Sequence, residues 1–173
     1  MRDGKGGAVK AKEPSAKGNA SVVLRSIRQR IKDGTKPPIA KLVGFTLTRV
    51  GPGWAWVEMD AGPEHANPMG TLHGGIFCDI ADAAMGMSFA SLLEAEDSFT
   101  TIEIKVNFLR PFWSGHLIAK GRMLKKGRSL GLAECRVVDE HGRLVAYATS
   151  TCMTVLAAKG GEMKRERLDR TGH

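Results

Sequence analysis

The stretch from Asn67 to Gly86, NPMGTLHGGIFCDIADAAMG, combines residues that can stabilise an oxyanion with residues that can move a proton. Gly74 and Gly75 let a ligand approach the backbone where a Cβ would block it. A helix opening there directs unpaired N–H groups at that ligand, with the positive end of its dipole behind them. Such donors suit a carbonyl oxygen that gains negative charge. Asp79 and Asp82 follow among apolar neighbours. A carboxylate buried there is either paired or functional, because desolvating an unpaired charge is costly. Asp79 reads as a partner of the helix dipole. Asp82, lying deeper between Ala81 and Ala83, is not explained that way and is the candidate for chemistry. His73 reads as a loop pin through its ring nitrogens, in preference to a general base.

The elements that must hold these residues follow from periodicity. Ile76, Ile80, Ala83, Met87 and Ala90 fall at helical spacing, so one long helix is predicted over Leu72–Leu93. It is apolar nearly all round, which calls for a central helix wrapped by other elements. Before it, a short basic helix over 20–33 is stopped by Gly34 and the Pro37-Pro38 pair. Strands are predicted over Val43–Val50 and Trp54–Met59, around a Gly51-Pro52-Gly53 turn, with a loop over 60–71. After the helix, Thr100–Leu109 alternates. Ile102, Ile104, Val106 and Phe108 lie on one face, with Thr101, Glu103, Lys105 and Asn107 on the other. Strands at His116–Leu124, Leu130–Val138 and Leu144–Leu156 complete a meander. This order gives an α+β fold with an antiparallel sheet rather than βαβ alternation.

Several attractive patterns fail on context. Gly127-Arg128-Ser129-Leu130-Gly131 matches a nucleophile elbow, with Asp139 and His141 following, but the sequence continues as a strand where the elbow requires a helix. The histidines show no paired zinc spacing, Gly51-Pro52-Gly53 is not a dinucleotide loop, and there is no P-loop. Cys78, Cys135 and Cys152 read as small buried hydrophobes in a reducing compartment.

At 173 residues the chain has room for one core. Its net charge of +8 is unevenly placed: residues 1–40 carry +7 and residues 159–173 carry +2, leaving −1 for 41–158. The folded part is thus nearly neutral, and no nucleic-acid partner is expected. No membrane association is expected either, since no apolar run approaches a membrane span. The first 20 residues lack the apolar stretch of a signal peptide, which predicts a cytoplasmic protein. Residues 1–19 are expected to be disordered, 20–157 to form one domain with its core at 40–157, and 158–173 to be a charged tail.

From Asn67 onward the sequence resembles the signature of hotdog-fold acyl-CoA thioesterases of the PaaI-like subgroup. The likeness continues through TTIEIKVNFLRP at 100–111 and GRLVAYATSTCMTV at 142–155, and covers about residues 40–157. It implies a long central helix wrapped by a curved antiparallel sheet. It implies a homodimer as the minimal active unit, assembling to a homotetramer, with each site built from two chains. In that scheme the Gly74 N–H is the oxyanion donor, and Asn67 orients the thioester or a water. Asp82 is nucleophile or general base, reaching the site from the partner subunit. Thr101 assists from a strand; alternation favours it over Thr100, which would share the apolar face with Ile102. His73 completes the catalytic set. Gly75, Thr100, Lys126, Gly127, Arg128 and Ser129 are expected along the substrate. The turn bearing Lys125, Lys126 and Arg128 lies toward the nucleotide and phosphates of coenzyme A, with ordinary turn charges as the alternative for each. The implied reaction is hydrolysis of an aryl or medium-chain acyl-CoA to free acid and coenzyme A, with no metal and no organic cofactor. Two alternatives stay open: an enoyl-CoA hydratase-type enzyme and a non-catalytic acyl-CoA-binding domain.

Overall fold

The computed structural model describes residues 21–156, so the expected tails at 1–19 and 158–173 lie outside the described residues. Helix α1 (Val22–Lys32) starts at Ser21, whose Oγ accepts the Leu24 N–H, and turns Leu24 and Ile27 inward. A second short helix, α2 (Pro38–Val43), follows where the sequence reading placed a stop and then a strand. The physical reason is that proline at the first helical position loses no hydrogen bond and brings a preset φ, so the second proline opens a helix here. Gly44, at φ 90°, closes α2. Strand β1 (Thr46–Gly51) therefore starts later than predicted, and it turns back into β2 (Trp54–Ala61).

Helix α3 (Gly74–Ala90) is the predicted central helix, shortened at both ends by His73 in an extended conformation and by the cap at Ser91. Strands β3 (Ser98–Phe108), β4 (Gly115–Lys126), β5 (Leu130–Asp139) and β6 (Leu144–Val155) complete one antiparallel sheet. Its order is β1-β2-β4-β5-β6-β3. The sheet wraps α3, which packs against all six strands. This is the hotdog arrangement. Along α3, Ile80, Ala81, Ala84 and Met85 are fully buried against Val57, Leu117, Ala119, Ala133, Cys135 and Ala148.

The expected alternation of β3 does not hold. A bulge shifts its register against β6 between Thr101 and Glu103. Ile102 is pushed outward to 55% exposure, while Ile104 and Val106 pack onto the core. Thr101 thus lies on the side that faces α3, not opposite it.

Close approach between α3 and the sheet depends on Gly121 of β4. A Cβ there would stand 2.5 Å from the backbone carbonyl of Ala84. That neighbour is helix backbone and cannot swing aside, so Gly121→Ala should destabilise the fold by about 1–3 kcal/mol. Thermal unfolding checks this; an unchanged melting temperature would mean that α3 is not held so tightly.

Candidate active site

The loop leading into α3 is built around Asn67. Its Oδ1 accepts the N–H groups of Met69 (2.9 Å) and Thr71 (3.2 Å), and its Nδ2 donates to Thr71 Oγ1 at 2.8 Å. The loop is tied to the segment after β3 by the Leu72 N–H, which donates to the Phe112 carbonyl at 2.7 Å. Asn67 therefore shapes the loop and keeps one amide hydrogen free of these bonds.

The first turn of α3 has orphan N–H groups, and His73 disposes of two of them. Its Nδ1 accepts from the Gly75 N–H at 2.9 Å, and its carbonyl accepts from the Ile76 N–H at 3.1 Å. The ring is thus a helix cap with Nδ1 unprotonated, and Gly75 has no donor left to offer a ligand. Among the described residues nothing accepts from the Gly74 N–H. Gly74 lines a cavity of about 370 Å³ together with Asn67, Phe77, Phe108, Arg110 and Phe112. A Cβ on Gly74 would meet the Phe108 ring at 3.0 Å, so the glycine keeps this approach open. The two motifs Asn67–Gly74 and NFLRP thereby meet in space. Phe108 and Phe112 are site walls that the sequence reading did not single out, although NFLRP marked their position.

Asp82 lies on a different opening. Thr101 Oγ1 donates to Asp82 Oδ1 at 2.9 Å, leaving Oδ2 unbonded among the described residues. The β3 bulge makes this contact possible. Thr100 is not part of it: it pairs in register with Met153, which pairs in turn with Leu130, on the far side of the sheet. Asp82 borders a second cavity, of about 480 Å³, walled by α3, β1, β2, α1, α2 and the turn between the two short helices. No sequence pattern marks α1 and α2 as contributors to it.

Asp79 corrects its sequence reading. It sits beyond the first turn of α3, which holds no acidic residue, and it lines the same cavity as Asp82 rather than the helix end. Burial raises its pKa above the ordinary carboxylate value, and the neighbouring Asp82 charge adds to the rise. Burial also pushes the Cys78 thiol up, with Asp79 and Asp82 contributing, so it stays protonated and a poor nucleophile.

Gly127, Arg128 and Ser129 form the β4–β5 turn and, with Lys125, line a separate open groove of about 440 Å³, whereas Lys126 ends β4 and is not part of that lining. Lys126 Nζ donates to the Gly127 carbonyl and to Thr154 Oγ1, at 3.0 and 3.1 Å. Ser129 and Asp139 stand at opposite ends of β5, and Asp139 accepts from Arg143 Nε at 2.6 Å, so no triad forms. Among the described residues no group of three or more His, Cys, Asp or Glu could hold a metal ion, and no helix is long and apolar enough to cross a membrane.

A family profile described as "Thioesterase superfamily" matches residues 69–146, which run from the loop before α3 into β6. A protein of Saccharolobus solfataricus named as an esterase is 32% identical over 110 residues, covering 64% of this chain and 78% of its own. The chain belongs to the thioesterase superfamily. Human acyl-coenzyme A thioesterase 13 is 28% identical to this thioesterase-superfamily chain over 135 residues, covering 75% of it and 94% of the human protein. The PaaI protein from the E. coli phenylacetic acid degradation operon shares the fold, with a TM-score of 0.71 at 20% identity over 81% of this chain and 99% of that one.

The Asp79 geometry yields a stability test with a definite sign. Because its folded-state pKa is raised, the folded protein binds that proton more tightly than the unfolded chain does. Stability therefore falls as pH rises from the ordinary carboxylate range through the raised value. Asp79→Asn should raise the melting temperature at neutral pH, and the gain should fade as pH drops below the ordinary carboxylate range. A variant that melts lower than the parent at neutral pH would contradict this.

Proposed function

We propose that this protein hydrolyses an acyl-CoA thioester, with an aryl or medium-chain acyl group, to the free acid and coenzyme A. The observation that carries the reading is the division of labour along α3. One unspent N–H stands at its start on Gly74, and one carboxylate, Asp82, is fixed by Thr101 further along. The donor polarises the thioester carbonyl and holds the oxyanion of the tetrahedral intermediate. Asp82 either attacks the carbonyl carbon or takes a proton from the water that does. The C–S bond then breaks, coenzyme A leaves as its thiolate, and water supplies the acid oxygen. No metal ion or organic cofactor is needed for these steps.

Gly74 and Asp82 are eight residues apart, or roughly 12 Å along a helix axis. A carbonyl within hydrogen-bond reach of Gly74 is out of reach of the same chain's Asp82. The reading therefore pairs the Gly74 half of one chain with the Asp82 half of another, making a homodimer the minimal unit and a homotetramer its expected assembly. The free edge of β3, eleven residues long with Ile102 and Phe108 exposed, supports pairing with a second copy. Lys126 and Arg128, at the β4–β5 turn, are assigned to the phosphates of coenzyme A. A hydratase would want a histidine at the carboxylate, and among the described residues no histidine hydrogen-bonds to Asp82. A purely binding role leaves the Thr101–Asp82 pair without a use.

Release of free thiol from a panel of acyl- and aryl-CoA thioesters tests the reading. Asp82→Asn should lower turnover by at least ~100-fold while assembly persists, since the amide keeps the shape and loses the base. Full activity in that variant, or no thiol release from any thioester by the parent protein, would overturn it.

A further inference from the structure

The cavity bordered by Asp82 runs along α3 and has two unlike ends. Toward the C-terminal half of the helix, Met87 and Ala83 face Ile27 and Ile31 of α1 and Leu47 of β1. Ile31, Leu47 and Met87 also pack onto the apolar cluster that holds α1 to the sheet. Toward the N-terminal half, Asp79 faces the α2 side, where Ile39 is 48% exposed. Asp82, Glu58, Glu134 and Asp139 each accept hydrogen bonds from neighbouring groups. Among the described residues Asp79 has no such partner. An alkyl chain laid over it would strand a charge without a donor, whereas α1 lines its end of the cavity with Ile27 and Ile31, Arg30 being the one charged side chain it adds there.

We propose that the acyl group runs from Asp82 toward the α1 end of this cavity, so that Ile27, Ile31 and Met87 set how long an acyl chain is accepted. This inference rests on the thioesterase reading above and extends it to the acyl group. It assigns the acyl pocket to the chain that carries Asp82, not to the chain that offers Gly74. The substrate class is an apolar acyl group whose length is limited by α1. Asp79 turns chains away from the α2 end.

The test is a length profile, kcat/KM for straight-chain acyl-CoA thioesters from acetyl to decanoyl. Each variant is normalised to the shortest thioester that it hydrolyses, which cancels losses in folding or assembly. Ile31→Trp fills the α1 end and should lower the normalised value for octanoyl and decanoyl thioesters at least ~10-fold, the scale of a few methylenes in an apolar pocket. Ile39→Trp, at the α2 end, should leave the normalised profile as in the parent. A profile that follows Ile39→Trp, or that neither variant moves, overturns the proposal while leaving the hydrolase reading intact. A parent protein that hydrolyses no thioester strikes at the hydrolase reading instead.

Discussion

The arrangement depends on how closely α3 can lie in the curl of the sheet. Ala81 and Ala84 on the helix and Gly121 on β4 keep the two backbones near each other, Gly86 makes room for the Phe99 ring of β3, and the larger Ile80 and Met85 fill the remaining depth. A helix buried on nearly all sides has few places where polar chemistry can reach solvent. They are its first turn, where N–H groups lack intrahelical partners, and the strip that the sheet leaves uncovered. Gly74 occupies the first, and Asp79 and Asp82 occupy the second. The site geometry is thus a consequence of packing: the same burial that stabilises the fold sets where a donor and a carboxylate can appear, and how far apart.

That separation shapes the functional account. Each chain has one cavity at the Gly74 N–H and another at Asp82, and the residues around the two do not overlap. The first is closed by the segment that leaves β3, the second by α1 and α2. Each half is finished locally. His73 and Asn67 use their polar atoms to fix the loop and the helix cap, while Thr101 fixes the carboxylate. Fixed donors and a fixed carboxylate need little reorganisation when charge develops, which is how such sites lower a barrier.

Much of this was readable from the sequence because the signals are local. Helical spacing and a wholly apolar surface marked α3, the His-Gly-Gly step marked its start, and alternation marked the strands. What escaped is non-local or turns on a single residue. The Pro37-Pro38 pair stops one helix and opens the next, and only the chain's path distinguishes these. Alternation alone put Thr101 opposite the apolar face; the bulge at Ile102, invisible to periodicity, turns it toward α3, where it donates to Asp82. Asp79 read as a dipole partner, yet it opens on a cavity whose walls outside α3 run from Ile27 to Val57, distant from it in sequence. No local pattern reports a surface assembled that way.

The central claim is that one site is made by two chains, and mixing inactive variants tests it most directly. Asn67→Ala damages the Gly74 half and Asp82→Asn the other, so each alone should be inactive. When the two are unfolded together and refolded in equal amounts, half of the dimers should be mixed. Each mixed dimer carries one site with both halves intact, and activity should return to about a quarter of the parent value. No recovery in a preparation shown to contain mixed dimers would mean that each chain holds a complete site, contradicting this account.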